Sequence, residues 1–405
     1  MENFYRKFST TVEILSMTYI QRELQAQILN ETPPKAIVIF GARQIGKTTL
    51  LTELAKTESS VRWFNGDMPE SQNQLRFNSA TDVELTLRQA DVIVIDEAQR
   101  IRDIGLILKQ LVDENIRLNL GKKIFATGSS SLELAKGVKE SAVGRLVHRQ
   151  MWPLSISEIA ADRGWGEVCQ NIDRLMVYGT YPAVFTAPDL AEITLRNYCD
   201  GILYKDLFAL AGIRQNDRLM HLVKLLAYSV GSEVNYDSLA RETGLNKTTV
   251  ADYIRLLEQC FIVKICPSFS RNLSNELKKG KKVYFCDNGI RNAVIGDFSP
   301  MSARRGHDAG ALWENFFFME RVKLHSLRND FTAMYFWRTT GNTTHELDFL
   351  EVKNETIRAF ECKLSPGEKV RLGKFSTAYP EAPIQVVTPN DMMKIWFTEA
   401  REASF

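Results

Sequence analysis

Gly41-Ala42-Arg43-Gln44-Ile45-Gly46-Lys47-Thr48 lies between an unbroken apolar run, Ala36 to Phe40, and a segment of helical periodicity reaching Lys56. Strand, glycine-rich loop and helix in that order are what the pattern G-x-x-x-x-G-K-[ST] requires. The glycines let successive backbone N–H groups face phosphate oxygens, and the helix start adds its positive end. Gly41, Ala42, Arg43, Gln44, Ile45, Gly46, Lys47, Thr48 and Thr49 therefore form the expected nucleotide cradle. Lys47 is expected to reach the β- and γ-phosphates of ATP, and the Thr48 hydroxyl to ligate Mg²⁺.

The remainder of this half fits the same plan. A second apolar run, Val92 to Ile95, ends in Asp96–Glu97, and a third, Lys122 to Thr127, ends in Gly128 and three serines. Short apolar strands alternating with helical segments predict an α/β domain with a parallel sheet over roughly residues 20–155. Asp96, at a strand end, is expected to hold the Mg²⁺ shell, and Glu97 to orient and deprotonate the attacking water. A buried acidic pair is costly without a cation, so the two halves of the pattern support each other.

These residues resemble the AAA+ branch of P-loop ATPases, in particular bacterial and archaeal members with a loop close to GxRQxGKTT. The Asp96-Glu97-Ala98-Gln99 and Thr127-Gly128-Ser129-Ser130-Ser131 segments match that group. The resemblance implies that Thr127 or Ser129 senses the γ-phosphate. Gly144–Arg145 and Pro153-Leu154-Ser155 with Glu158 also recur there. Arg145 is thereby implied as a charge-stabilising arginine, in its own chain or toward a neighbouring subunit of a homo-oligomer.

Residues 238–263 have a helix–turn–helix arrangement: Leu239, Ala240 and Thr243 share a face, Gly244 turns the chain, and a second helix starts near Asn246. Asn246, Lys247, Thr248 and Thr249 offer amide, ammonium and hydroxyl groups suited to double-stranded DNA. Two short strands follow, bracketing Lys278, Lys279, Lys281 and Lys282 as a basic wing. Residues 264–282 carry six cations and one anion, a local charge of +5. Either DNA contact or packing against a protein surface accounts for such a winged helix.

Near the end, His345 to Lys363 reads as a hairpin. A two-residue turn at Asn354–Glu355 sets Asp348 directly across from Glu361, and Lys363 projects from the same face. Opposed carboxylates repel unless a divalent cation lies between them. With Glu314 on an upstream helix, this looks like the PD-(D/E)XK nuclease fold. That likeness implies that Glu314, Asp348, Glu361 and Lys363 form a Mg²⁺-dependent phosphodiester site. Alternation of Glu and Lys on an exposed strand, with Glu346 facing Lys363, is the plainer alternative. The C-terminal half also resembles an uncharacterised domain that commonly follows this ATPase type.

Composition sets the bounds on partners. The chain has 405 residues with 51 basic and 49 acidic side chains, so the net charge of +2 confines any nucleic-acid contact to local patches. Its six cysteines are scattered without a C-x-x-C pair, which predicts reduced thiols and a cytoplasmic protein. Arg6 and Lys7 are followed by Thr10, Thr11 and Glu13, not by a signal-type apolar core. The longest apolar runs fall far short of the ~20 residues a membrane helix needs.

The expected organisation is an AAA+ ATPase domain at 1–160, a helical connection at 161–230, a winged helix at 231–292 and a nuclease-like α/β domain at 293–405. The expected activity is Mg²⁺-dependent ATP hydrolysis that gates DNA binding. The alternative is a slow nucleotide-dependent switch whose C-terminal half holds a protein partner without cutting DNA.

Overall fold

Continuous apolarity at Ala36–Phe40 and Val92–Asp96 demands cover on both faces, which the interior of a parallel sheet supplies. The computed structural model describes residues 19–31, 34–128, 144–203, 216–270, 280–304, 306–339, 345–368 and 373–396. Its first sheet consists of β1 (Ala36–Phe40), β2 (Val61–Asn65), β3 (Val92–Asp96), β4 (Lys123–Gly128) and β5 (Leu146–Gln150). The order is β2-β3-β4-β1-β5, and every neighbouring pair is parallel. β1 and β3 are buried along their whole length, whereas the edge strands β2 and β5 are largely half-exposed. Only the interior strands were expected from the sequence, because edge strands carry no unbroken apolar run.

Helix α1 (Glu23–Leu29) precedes β1, and α2 (Lys47–Ala55) follows the glycine-rich loop. Beyond the sheet the chain is helical as expected, from Ile156–Arg163 through Ala191–Tyr198. Three helices, Asn216–Tyr228, Tyr236–Thr243 and Lys247–Gln259, lead into an antiparallel pair, β6 (Val263–Pro267) and β7 (Lys281–Phe285).

A second sheet contains β8 (Ala333–Arg338), β9 (Glu346–Lys353), β10 (Thr356–Cys362) and β11 (Ile384–Val387), in the order β11-β10-β9-β8. Its pairs are antiparallel except β10 with β11. The β9–β10 turn is the two-residue one read from the sequence. Lys353 pairs with Thr356, and Asn354 and Glu355 have φ of 47° and 68°. Two left-handed residues match the twist of the flanking strands, and Asn tolerates that conformation well.

The helix Gly306–Arg328 is the spine of the C-terminal half, 23 residues long. Leu312, Trp313, Phe317 and Phe318 are fully buried on it, so apolar groups surround the axis. Glu320, Arg321, Lys323 and His325 on it are buried too, and each must find a partner. Arg321 makes two bonds to Glu351 on β9, at 2.6 and 2.8 Å. Glu320 and Lys323 pair at 2.6 Å. One contiguous apolar core runs from Ile20 to Trp396, so the sequence units pack on one another.

Four cysteines, Cys199, Cys266, Cys286 and Cys362, are buried; Cys260 is half-buried and Cys169 exposed. Burial pushes the Cys199 thiol up to about 12 and raises the other three buried thiols as well. Among the described residues, no helix is long and apolar enough to cross a membrane.

Candidate functional site

Because the first sheet is wholly parallel, the carboxyl ends of its strands share one rim, where α/β proteins bind ligands. β1 delivers the glycine-rich loop to that rim. A Cβ at Gly41 would lie 2.3 Å from the Met151 carbonyl, so the loop runs against backbone there. Gly46 caps α2 with φ of 92°, a conformation glycine adopts at no steric cost. Lys47 is only 6% exposed, and its ammonium donates to the Gly41 and Ala42 carbonyls at 2.9 and 2.7 Å. Thr48, Thr49 and Gln44 are exposed at the mouth, while Ile45 is buried beneath. Arg43 is half-buried beside them.

Asp96 closes the rim from β3. The Thr48 hydroxyl donates to its Oδ2 at 2.8 Å, and the Thr127 hydroxyl donates to its Oδ1. β4 lies between β1 and β3, which sets Thr127 between the loop and the acidic pair. The Glu97 N–H donates to Asp96 Oδ1 at 3.1 Å and to Thr127 Oγ1 at 3.2 Å. Glu97 itself has φ of 50° and ψ of 41°, a strained left-handed conformation for a non-glycine residue. Its carboxylate accepts from the Gln99 side-chain amide. Gly66 makes this turn feasible, since a Cβ there would come within 2.2 Å of the Glu97 carbonyl. The donor set fits a magnesium nucleotide: a hydroxyl and a carboxylate side by side, an ammonium, and a loop that leaves no room for a side chain at Gly41.

Arg145 is placed elsewhere. It precedes β5, and its carbonyl accepts from the Ala36 N–H at the amino end of β1. Five residues of strand separate that level from the loop, about 16 Å at ~3.3 Å per residue. Its guanidinium pairs with Asp113. Of the two expected possibilities, its own chain or a neighbouring subunit, the polarity of the sheet sets Arg145 at the end of β1 away from its own loop. We expect Arg145→Ala to leave the turnover of dilute protein unchanged; a tenfold loss at a concentration without self-association would overturn this placement. Ser129, the other implied sensor, lies outside the described residues.

One participant has no sequence signature. Arg22, 6% exposed at the start of α1, reaches three elements at once. It donates to the Ile45 carbonyl in the loop at 2.9 Å, to the Trp152 carbonyl at 2.6 Å and to Glu158 at 2.9 Å. Glu158 closes a capping box with Ser155. The next residue continues the chain of contacts: the Ile156 N–H donates to Glu320 at 2.9 Å. Lys323 donates to the Leu154 carbonyl at 2.9 Å and to the Thr180 hydroxyl at 3.0 Å. The glycine-rich loop is thus joined to the central helix by buried, charge-assisted bonds.

The expected DNA-binding residues divide. Asn246 spends its side chain capping the helix Lys247–Gln259, accepting from the Thr249 N–H at 2.7 Å. Lys247 and Thr248 are exposed, and Lys247 bonds to Asp237 at 2.8 Å. Lys278 and Lys279 lie outside the described residues, and Lys281 is half-buried on β7. Lys282, expected on an exposed wing, is instead 1% exposed. A strand side chain that faces the second sheet cannot also face a phosphate backbone.

That sheet does bring the C-terminal candidates together. The β9–β10 register pairs Phe360 with Phe349, and Asp348 and Glu361 are the next residues along the two strands. Asp348 Oδ2 accepts from the Cys362 N–H at 2.7 Å, and Lys363 donates to Glu361 at 2.7 Å. Burial, reinforced by Glu314, pushes Asp348 well above the usual carboxylate range. Glu314 accepts from the Tyr284 hydroxyl at 2.6 Å and from Lys282 at 3.0 Å.

Residues 33–160 match a family described as AAA domain. The parallel α/β sheet and its glycine-rich loop thus lie in a segment similar to AAA domains. Residues 169–300 match a domain of unknown function (DUF8612), and residues 309–395 match a second one (DUF4143). An uncharacterized protein of Mycobacterium tuberculosis is 26% identical over 360 residues, covering 87% of this chain and 76% of that protein. One from Haemophilus influenzae is 24% identical over 332 residues, covering 76% and 80%. Among solved structures, Aeropyrum pernix ORC1 in complex with DNA is 15% identical, with a TM-score of 0.29 over 68% of this chain and 90% of that one. A Thermotoga maritima RuvB variant is 15% identical, with a TM-score of 0.29 over 64% and 88%.

Proposed function

We propose that the chain hydrolyses ATP at the glycine-rich loop and passes its nucleotide state to the C-terminal half. The reading rests on one observation: Thr48, Asp96, Glu97 and Thr127 are linked by hydrogen bonds at the sheet rim that also carries Lys47. In this reading the loop N–H groups and Lys47 bind the phosphates. Thr48 and Asp96 would hold Mg²⁺, which supplies charge neutralisation at the phosphate oxygens. Glu97 turns from Gln99 to orient the attacking water and takes its proton. Thr127, touching both acidic residues, responds to the γ-phosphate position. Arg22 and Glu158 then carry loop movement to Glu320 and Lys323 on the central helix.

A nucleotide-dependent switch that holds a protein partner is the output best supported for the C-terminal half, because Lys282 is withdrawn from the surface. DNA contact through a winged helix, at Lys247, Thr248, Thr249 and Lys281, is the second reading. An Arg145 contribution would then pass between copies of a homo-oligomer.

ATP hydrolysis with and without double-stranded DNA at two salt concentrations tests the output. We expect turnover without DNA and no stimulation by it. Stimulation at low salt that disappears at high salt would establish phosphate contacts and favour the second reading. Absence of any calorimetric ATP binding would overturn the nucleotide reading itself.

A further inference from the structure

The nuclease-like reading of the C-terminal hairpin calls for a divalent cation among Glu314, Asp348 and Glu361, and the side chains present do not fit one. We propose that Lys282 is the resident cation of this acidic cluster. Its ammonium occupies the place a metal would need, and the cluster becomes a divalent-cation site only when β7 withdraws. The inference does not rest on ATP hydrolysis.

Lys282 enters from β7, which belongs to the helix–hairpin unit and not to the second sheet. Its Nζ lies 3.0 Å from Glu314 and 2.6 Å from Glu346, and 5.6 Å from the centre of the Phe336 ring. Burial alone would lower its pKa, but Glu314, Asp348 and Glu346 outweigh burial and hold it charged. At each of the three carboxylates one oxygen is already engaged. Glu314 Oε1 accepts from both Lys282 and Tyr284, Asp348 Oδ2 from backbone, and Glu361 Oε1 from Lys363.

A hard divalent cation needs several oxygens converging at ~2.0–2.6 Å. Among the described residues, no three His, Cys, Asp or Glu side chains are so arranged. An ammonium needs only the longer hydrogen bonds observed. Glu361 Oε2 is buried with no hydrogen-bond partner among the described residues, on a residue 8% exposed. A buried carboxylate oxygen left in that state marks a place where another cation can enter.

Lys282 and a divalent ion compete for Glu314, so each excludes the other. By linkage, whatever draws β7 away raises metal affinity, and metal in turn holds β7 away. The device couples the helix–hairpin unit to the carboxylates without any contact from the ATPase half.

Mn²⁺ binding to the full chain, followed without nucleotide by the paramagnetic resonance of free Mn²⁺, tests this. Leaving out nucleotide keeps the glycine-rich loop from contributing a metal site. The parent should take up no Mn²⁺ at the cluster. Lys282→Met should gain one site, and Lys282→Met with Glu361→Gln should lose it again. Glu346→Gln, which removes one tether from a partly exposed residue, should show Mn²⁺ uptake at the cluster where the parent shows none. It serves as the deciding variant if Lys282→Met fails to fold.

A parent that binds Mn²⁺ as tightly as the variants would overturn the proposal. So would folded variants that gain nothing, or a gain that survives Glu361→Gln. ATP hydrolysis could fail in the same preparation without bearing on any of these outcomes.

Discussion

Glu97→Gln is expected to bind ATP as the parent does and to turn it over roughly 10²–10⁴ times more slowly. The substitution keeps the size and planarity of the side chain, so the left-handed turn at Glu97 and the backbone bonds to Asp96 and Thr127 remain. What disappears is the basic oxygen. In the proposed reading, binding depends on Lys47 and the loop amides, which the change does not touch. Calorimetry and single-turnover hydrolysis separate the two effects. Undiminished turnover would remove Glu97 from the chemistry, whereas lost binding would assign it a structural part in the loop.

Arg22→Ala should cost about 3–5 kcal/mol of stability, because it leaves the Glu158 carboxylate buried without its guanidinium. Two backbone N–H donors, from Glu23 and Ser155, would still reach that carboxylate, but no charge would balance it. The same change frees the Ile45 carbonyl, so ATP affinity should fall by about tenfold, or ~1.4 kcal/mol. Denaturant melts and ATP titrations read the two losses independently. If stability falls and affinity does not, Arg22 merely fastens α1 and the path from loop to central helix is broken at its first link.

The two outcomes also show what the sequence discloses and what it conceals. The strand–loop–helix order around Gly41–Thr48 was legible because an apolar run, paired glycines and helical periodicity follow one another in the sequence. The β9–β10 register was legible because a two-residue turn at Asn354–Glu355 leaves a single pairing. Arg22 was not: it contacts Trp152 and Glu158 across more than a hundred residues, and no local pattern encodes such a reach. Lys282 misled for a related reason. A lysine next to Lys281 reads as surface charge, and only the approach of Glu314 and Glu346 makes its burial tolerable. Arg145 was a matter of strand direction, which residue identity does not carry. β11 escaped because Ile384–Val387 is short and partly exposed.

The distribution of thiols has a practical consequence. Four cysteines are covered, with their protons held tightly, and Cys169 is exposed on the helix Trp165–Gln170. That helix directly follows Ile156–Arg163, whose first residue is bonded to Glu320. A maleimide dye should therefore couple preferentially at one natural position, beside the bonds that join the glycine-rich loop to the central helix. Fluorescence changes on adding nucleotide could then be followed in the native chain, without first engineering a cysteine-free background.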